Sequence, residues 1–319
     1  MKLKLGVIMD PIGSINFKKD STLAMLLEAQ SRDYTLYYIE QQHLFAVNNQ
    51  AMATAQPVQV FENPDQWYEL GPQQTIALAE LDVILMRKDP PFDMDYIYTT
   101  YLLELAEAAG TLVVNRAQSL RDANEKFFTT QFPQCISPTL VSAQAETLHA
   151  FVKEHQDTIL KPLDGMGGAS IYRVKQNDPN INVIFENLTQ HGQRLIMAQK
   201  FIPEISAGDK RILLINGEAV PYALARIPAK GETRANLAAG GEGVVVELTE
   251  RDHWICRQVA PTLIDKGLMF VGIDVIGDYL TEVNVTSPTC IREIDQAQGL
   301  NISAQLMDCI ERTIEEKQH

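Results

Sequence analysis

Short apolar runs alternate with amphipathic segments through the first third of the chain. The apolar runs are KLGVIMD near the start, TLYYIE (35–40), DVILMR (82–87) and TLVVN (111–115). Continuous apolar runs of this length are typical of strands that are covered on both faces. Helices are predicted at 19–32, with Asp20 and Ser21 as N-cap candidates, and at 95–110, with Gly110 at C′. This alternation predicts an open α/β layer domain from residue 1 to about residue 120.

Two regions depart from this alternation. Residues 46–75 are rich in Asn, Gln, Pro and Gly and have little periodicity, which predicts an irregular excursion with room for a small hairpin. After a predicted helix at 119–132, the apolar runs become shorter. They predict strands at 139–142, 158–162, 170–174 and 195–202, and helices at 144–155 and 180–190. Short strands with two helices predict a small α+β domain.

The last third opens on two apolar strands (209–227) joined at Asn216-Gly217, which is a strong hairpin signal. A polar loop rich in Gly and Ala follows at 227–243, and loops of that length are usually functional or disordered. The remaining predicted elements are a helix at 250–266, strands at 270–277 and 279–287, and a C-terminal amphipathic helix at about 301–316.

Composition and charge narrow the function classes. The chain has 319 residues, 45% of them hydrophobic, which suits two or three domains. No run approaches a transmembrane length, and the N-terminus reads as the first strand of a cytoplasmic protein. A net charge of −14 argues against nucleic acid, although local lysines and a divalent cation can still bind a nucleotide. The cysteines lack zinc spacing and fit a reducing compartment: Cys135, Cys256, Cys290 and Cys309.

The segment ILKPLDGMGGASIYRV (159–174) contains a glycine loop between two short β-branched runs. It is not a P-loop, because Lys161 precedes the glycines, and it opens no helix as a dinucleotide fingerprint does. Such a loop can close over phosphates as kinase glycine loops do, but taken alone an ordinary hairpin turn is the favoured interpretation. Lys126 and Lys161 stand beside apolar residues in the same region, and together with the loop they indicate phosphate contacts. Singly, each is more often a solvated lysine.

A metal site is the sharper hypothesis. Asp274, Glu282 and Asn284 are polar residues inside predicted strands, where they are costly unless solvated, paired or metal-bound. Glu282 and Asn284 share a face, and a three-residue turn at 277–279 would pair Asp274 with Glu282, whereas a two-residue turn would pair it with residue 281. Three oxygen ligands suit Mg²⁺, but a harmless exposed strand face is equally compatible with the spacing.

Arginines concentrate around the long glycine-rich loop of the last third, and arginine offers paired donors to carboxylate and phosphate. They are Arg211, Arg226, Arg234 and Arg292. Any one of them alone could be a surface residue. Cys290 has no histidine partner nearby, which favours a packing thiol over a nucleophile.

Six segments in order resemble the ATP-grasp ligases and, within that superfamily, the bacterial glutathione synthetases. They are NEKFF, ILKPLDGMGGASIYRV, MAQKFIP, GDKRILLINGE, PYALARIPAKGETRANLAAGG and FVGIDVIGDYLTEVNVTSPTCIRE, and GVIMDPIGSINFKKDSTLAMLLEAQ and LDVILMRKDPPFD extend the resemblance to the start of the chain. The resemblance implies an ATP-grasp fold: an N-terminal α/β domain (1–122), a central lid domain (123–202) and a C-terminal domain (203–319).

The resemblance also implies roles for individual residues. Nucleotide contacts would come from Lys126, Lys161, the small loop Gly165, Met166, Gly167 and Gly168, the hinge strand Gln199, Lys200, Phe201 and Ile202 beside the adenine, and Asp209. Asp274, Glu282 and Asn284 would hold Mg²⁺, with Mn²⁺ as an alternative. Arg211, Gly241 and Arg226 would stabilise the reacting groups. The substrate contacts would be Arg226, Arg234, Asn236, Ser287 and Thr289, and residues 227–242 would close over the substrate.

The implied reaction joins γ-glutamylcysteine and glycine to glutathione with ATP, through an acyl phosphate. Such catalysis depends on positioning and charge neutralisation and needs no side-chain nucleophile. Two alternatives remain: a dipeptide ligase of the D-alanine type, and a nucleotide-binding protein without turnover, like the synapsins. The resemblance further implies a homotetramer with small-molecule partners, and charge and hydropathy predict a cytoplasmic protein that binds neither nucleic acid nor membrane.

Overall fold

The four apolar runs of the first third form four adjacent strands of one sheet, in agreement with the predicted α/β layer. The computed structural model describes residues 2–165, 168–229 and 242–318. The first sheet holds β1 (Lys4–Ile8), β2 (Thr35–Ile39), β3 (Leu44–Val47), β4 (Gln50–Val60), β5 (Tyr68–Leu70), β6 (Gln74–Ala77), β7 (Val83–Met86) and β8 (Leu112–Val114). Its main order is β3-β4-β2-β1-β7-β8, and β2, β1, β7 and β8 run parallel. The carboxyl ends of these central strands therefore meet at one edge of the sheet.

Helices pack against this sheet where the sequence predicts them. They are α1 (Ser21–Ser31), α2 (Met94–Ala108) and α3 (Ala117–Asp122). The Asp20 carboxylate accepts a hydrogen bond from Leu23 N at 2.6 Å, so Asp20 is the N-cap of α1. Gly110 follows α2 with φ +109°, a conformation that favours glycine.

The prediction of an irregular excursion at 46–75 is wrong. The region contains the 11-residue strand β4, which pairs with β2, β3, β5 and β6 and extends the sheet by antiparallel strands. Burial alternates along β4, because Ala51, Ala53 and Ala55 point inward between more exposed neighbours. Alanine has a low strand propensity and gives little hydrophobic contrast, and proline is uncommon inside strands. Both make β4, which contains Pro57, hard to predict from the sequence.

The predicted helix at 119–132 is also wrong as a single element. Helix α3 ends at Asp122, and a separate short 3₁₀ segment covers Phe127–Gln131. The Asn124 side-chain oxygen accepts hydrogen bonds from Lys126 N at 3.1 Å and Phe127 N at 2.8 Å. Asparagine bonds that compete with the helical ladder explain the break, which places Lys126 at the start of the new turn.

The middle third forms a second sheet with its own core. Its elements are β9 (Thr139–Ser142), α4 (Ala145–His155), β10 (Asp157–Pro162), β11 (Tyr172–Lys175), α5 (Ile181–Thr189) and β12 (Ile196–Lys200). The four strands are antiparallel in the order β11-β10-β12-β9, and Leu148, Leu160 and Phe185 pack in a core confined to this unit. This confirms the predicted α+β character of the segment.

The last third forms a third sheet in the order β15-β14-β13-β16-β17. Its elements are β13 (Asp209–Ile215), β14 (Glu218–Ile227), β15 (Glu242–Glu247), α6 (Glu250–Asp265), β16 (Phe270–Ile276), β17 (Tyr279–Asn284), α7 (Ile291–Gln298) and α8 (Ile302–Gln318). Helix α7 is an element that the sequence did not predict. Apolar side chains of the first sheet, such as Ile8 and Met86, share a core with Val271 and Ile273 of the third. Among the described residues, no helix meets the length and hydropathy needed to cross a membrane.

The predicted hairpin at Asn216-Gly217 is confirmed and gives a test of local stability. Asn216 and Gly217 join β13 to β14 with φ +49° and +81°. A Cβ at residue 217 would lie 2.8 Å from Ile264 Cδ1 and 3.2 Å from Ala260 Cβ. We therefore expect Gly217→Ala to lower the free energy of unfolding by about 1–2 kcal/mol, measured as a lower urea midpoint. Asn216→Gly is the control and should change stability little, while a Gly217→Ala variant as stable as the parent would contradict the steric account.

Candidate functional site

Strands β16 and β17 bring Asp274 and Glu282 opposite each other, although the turn is the two-residue one that was expected to pair Asp274 with residue 281. The turn has the two residues Gly277-Asp278, so Ile276 pairs with Tyr279 and Val275 with Leu280. A β-bulge then shifts the register and pairs Asp274 with Glu282, with Thr281 as the extra residue. The Thr281 hydroxyl donates to Asp274 O at 3.1 Å.

Asn284 follows on the same face of β17. Its Nδ2 donates weakly to Asp274 Oδ2 at 3.4 Å, and Gly272 is its partner on β16. The three predicted metal ligands are therefore neighbours in the described structure. Two carboxylates and one amide supply hard oxygen donors of the kind that Mg²⁺ prefers, so these residues fit that ion. Among the described residues, no group of three or more His, Cys, Asp or Glu side chains is placed to hold a metal, so the proposed set relies on the Asn284 amide beside two carboxylates.

Two arginines clamp the buried carboxylate of Asp274, which is 2% exposed. Arg211 donates through Nε to Oδ1 at 2.5 Å and through Nη2 to Oδ2 at 2.9 Å. Arg226 Nη2 lies 2.9 Å from Oδ2. Burial alone would raise the pKa of Asp274, but the two guanidinium groups outweigh it and hold that pKa below its usual range. Asp274 is therefore ionised at neutral pH, and its negative charge is balanced by Arg211 and Arg226.

Asp209 supplies a second buried carboxylate beside this clamp. Arg226 Nη2 donates to Asp209 Oδ2 at 2.6 Å, while Oδ1 has no partner in the part of the chain that the structure describes. Burial raises the pKa of Asp209 to about 7, the charges of Asp274 and Glu282 add to this rise, and Arg226 opposes it. The sequence could not predict the contact between these two side chains, because it depends on the pairing of Asp209 with Arg226 across β13 and β14.

The two predicted phosphate lysines converge on Glu282. Lys126 Nζ lies 3.6 Å and Lys161 Nζ 3.9 Å from Glu282 Oε1. Burial lowers the pKa of Lys161, and the nearby Glu282 only partly compensates. Burial also acts to lower the pKa of Lys126, but Glu282 and Glu125 reverse the effect and raise it. The structure thus concentrates two cations and one carboxylate in a small volume.

Glu125 lies in the same group of charges, although it was not among the site residues predicted from the sequence. Its carboxylate contacts Lys126 Nζ, and burial together with the charge of Glu282 raises its pKa. Glu125 O also accepts a hydrogen bond from Val283 N at 2.8 Å, which ties the segment before Lys126 to the strand of Glu282. The only signal in the sequence was a charged residue directly before Lys126 in NEKFF.

The glycine loop connects the antiparallel strands β10 and β11, as the sequence predicted, and its near end touches the lysine pair. Gly165 O accepts a hydrogen bond from Lys126 Nζ at 2.6 Å, and Gly168 has φ +80°. The other two nominated loop residues, Met166 and Gly167, lie outside the described residues. The structure therefore places the base of the loop against Lys126.

The nominated hinge lies at the end of β12. The buried Gln199 side chain donates to Thr139 Oγ1 at 3.1 Å. Lys200 N and Phe201 N donate to Pro138 O and Asp157 O, so these two backbone donors are already engaged within the protein. Ile202, which ends the nominated hinge, is buried.

The nominated substrate residues are only partly described. The Ser287 hydroxyl donates to the Asp89 carboxylate, and Thr289 Oγ1 lies 3.7 Å from Cys290 Sγ. The Cys290 thiol is buried, which raises its pKa and agrees with a packing role. Arg292 is separated from Arg211 and Arg226, because it pairs with Glu62 at 2.8 Å. Three candidates lie outside the described residues, as does most of the 227–242 loop: Arg234, Asn236 and Gly241.

Comparisons with known proteins cover nearly the whole chain. Residues 3–121 match the family model of the prokaryotic glutathione synthetase N-terminal domain, and residues 125–299 match that of the prokaryotic glutathione synthetase ATP-grasp domain. A glutathione synthetase from Pseudomonas aeruginosa is 62% identical over 97% of this chain and 98% of its own length. One from Escherichia coli O127:H6 is 58% identical over 99% of this chain and 100% of its own length.

Solved structures agree on the fold. The D-cycloserine synthetase DcsG superimposes with a TM-score of 0.67 at 12% identity, covering 98% of this chain and 99% of its own. The ATP-grasp ligase PsnB, in complex with a phosphomimetic precursor, Mg and ADP, gives a TM-score of 0.65 at 16% identity, covering 97% of this chain and 98% of its own. Similarity at this level of identity concerns the ATP-grasp fold alone.

Proposed function

The chain belongs to the family of prokaryotic glutathione synthetases, ATP-dependent ligases that make glutathione, and from that premise we propose how its residues divide the work. Lys126 and Lys161 bind the ATP phosphates, and Asp274, Glu282 and Asn284 hold Mg²⁺, or Mn²⁺ as the alternative. The observation that carries this proposal is the convergence of both lysines on Glu282, directly opposite the clamped Asp274. Cations for phosphate and oxygens for a metal then stand side by side.

The second sheet is proposed as the lid over ATP. It has a core of its own, whereas the first and third sheets share theirs, so it can move as a unit. The separate core supports setting the second sheet apart from the other two, and the proposed division into residues 1–122, 123–202 and 203–319 otherwise rests on the family resemblance. Gly165, Met166, Gly167 and Gly168 cover the phosphates, Gln199, Lys200, Phe201 and Ile202 line the adenine side, and Asp209 completes the nucleotide contacts.

When bound, the divalent ion neutralises charge on the ATP phosphates. The protein's own groups then orient the reactants. The carboxylate of γ-glutamylcysteine attacks the γ-phosphate and forms an acyl phosphate with release of ADP. The amine of glycine attacks the acyl carbon, and phosphate leaves. Arg211, Arg226 and Gly241 stabilise the transferred phosphoryl group and the tetrahedral centre, since preorganised donors act most strongly where charge develops.

The substrate contacts are proposed to be Arg226, Arg234, Asn236, Ser287 and Thr289, with residues 227–242 closing over them. Closure keeps water from the acyl phosphate. Arg226 already bridges Asp209 and Asp274, which supports its place beside both the nucleotide and the reacting groups. The proposal includes a cytoplasmic homotetramer, which rests on the family resemblance.

The reaction is tested by measuring ADP release with each substrate omitted in turn. We expect release to require γ-glutamylcysteine and glycine together, because the acyl phosphate is productive only when the amine is bound. D-Alanine in place of both substrates should give no ADP release. Release with D-alanine alone, or no release with any amine, would instead favour a dipeptide ligase or a nucleotide-binding protein without turnover.

A further inference from the structure

Arg87 is a buried arginine that joins the first sheet to the segment carrying Ser287 and Thr289. It follows β7 directly and is only 7% exposed. Its Nη2 donates to Pro288 O at 2.8 Å, and its Nε donates to Thr22 Oγ1 at the start of α1 at 3.1 Å. One guanidinium group therefore connects the N-terminal unit to the backbone between the two nominated substrate residues.

The other end of that segment is held in the same way. Asn115 follows β8, and its Nδ2 donates to Val285 O and Phe270 O, each at 2.7 Å. Its Oδ1 accepts from Phe270 N at 2.8 Å. Two buried polar side chains at the carboxyl ends of neighbouring strands thus hold the backbone at residues 285 and 288.

Pro288 is also packed close to Arg211, one of the residues proposed to stabilise the reacting groups. A Cβ built on Gly272 would lie 2.9 Å from Pro288 Cβ and 2.8 Å from Arg211 Cδ, so glycine is what allows these two side chains to come so close. Close-packed interiors transmit small displacements. A shift of Pro288 would therefore be felt both at the hydroxyls of Ser287 and Thr289 and at Arg211.

A purely structural role accounts poorly for this residue. Among the described residues, the hydrogen-bond partners of Arg87 are a hydroxyl and a backbone carbonyl rather than a carboxylate, and its guanidinium lies 5.6 Å from the Phe270 ring centroid. Burial lowers the pKa of Arg87, and the charges of Asp20 and Asp89 offset this only in part. Burying a cation without a paired anion is costly, and apolar side chains would fill the same space at lower cost. We propose that Arg87 is a positioning residue that holds Pro288 so that Ser287 and Thr289 face γ-glutamylcysteine. This inference rests on the substrate roles proposed above.

The test compares Arg87→Met with Arg87→Lys and with the control Arg121→Met. We expect Arg87→Met to raise KM for γ-glutamylcysteine by about tenfold or more, since a hydrogen bond from a charged donor is lost. KM for ATP should stay within about twofold, because the phosphate lysines are untouched. Arg87→Lys should recover only part of the effect, since lysine cannot serve both acceptors. Arg121 bonds Glu104 and Thr100 in the same unit, so Arg121→Met should change both KM values little.

A gentler variant keeps the test decisive if Arg87→Met does not fold. Thr22→Val preserves shape and removes the acceptor of Arg87 Nε, so we expect a smaller rise in the same KM. Free methylguanidinium should lower KM for γ-glutamylcysteine in Arg87→Ala and leave Arg121→Met unchanged. Equal changes in KM for all substrates, or no change in Thr22→Val and no rescue, would overturn the positioning role. If the parent enzyme itself released no ADP with γ-glutamylcysteine and glycine, the proposed function would fail instead.

Discussion

Replacing Glu282 by Gln is expected to lower ATP-dependent turnover by about a thousandfold or more. Glu282 Oε1 lies near both Lys126 Nζ and Lys161 Nζ and opposite Asp274, so it is the carboxylate shared by the phosphate lysines and the proposed metal site. Glutamine keeps the shape and removes the charge. Turnover should fall because a proposed metal ligand is lost, while binding of metal-free ATP should persist because Lys126 and Lys161 remain.

ADP release over a range of Mg²⁺ concentrations measures the first effect, and calorimetric titration with ATP in the presence of a chelator measures the second. Glu218→Gln is the matched control, because Glu218 is an exposed glutamate at the hairpin end of the same sheet. Unchanged turnover with unchanged Mg²⁺ dependence in Glu282→Gln would remove the metal assignment. Loss of ATP binding without the metal would instead show that Glu282 mainly keeps the lysines in place.

The fold could be read from the sequence where side-chain size and periodicity agree with burial. The central parallel strands and the hairpin at Asn216-Gly217 are examples, because large apolar residues and a demanding turn leave few alternatives. The strand β4 was not predicted, because several of its inward positions are alanines. The break before Lys126 escaped because it depends on two side-chain bonds made by Asn124.

The candidate site shows the same division between local and long-range information. Residue type and spacing placed Glu282 and Asn284 on one face, but the pairing of Asp274 with Glu282 needed a bulge that no spacing rule gives. The clamp on Asp274 comes from Arg211 and Arg226, on strands far away in sequence. Arg292 carries the same guanidinium group but pairs with Glu62 instead. Residue type alone does not determine where the fold places a side chain.

Arg211→Met and the double variant Arg211→Met/Asp274→Asn are expected to separate stability from catalysis. The single change should lower the free energy of unfolding by about 3–5 kcal/mol, because it leaves the buried Asp274 with Arg226 alone. The double change should recover most of that loss, since no uncompensated charge remains. Neither variant should release ADP, because both lack the proposed phosphoryl contact of Arg211 and the double variant also lacks the proposed metal ligand Asp274.

Urea denaturation of the parent, both single variants and the double variant measures the coupling between Arg211 and Asp274 as a double-mutant cycle. Lys210→Met is a useful comparison, because Lys210 lies beside Arg211 on β13 and also pairs with a buried carboxylate. Its partner is Asp252 of helix α6, at 2.5 Å. It should lower stability while leaving KM for γ-glutamylcysteine near the parent value. A double variant as unstable as Arg211→Met would mean that Arg211 acts on the fold through contacts other than Asp274. Recovery of turnover in the double variant would exclude Arg211 from the reacting groups, since that variant has no arginine at residue 211.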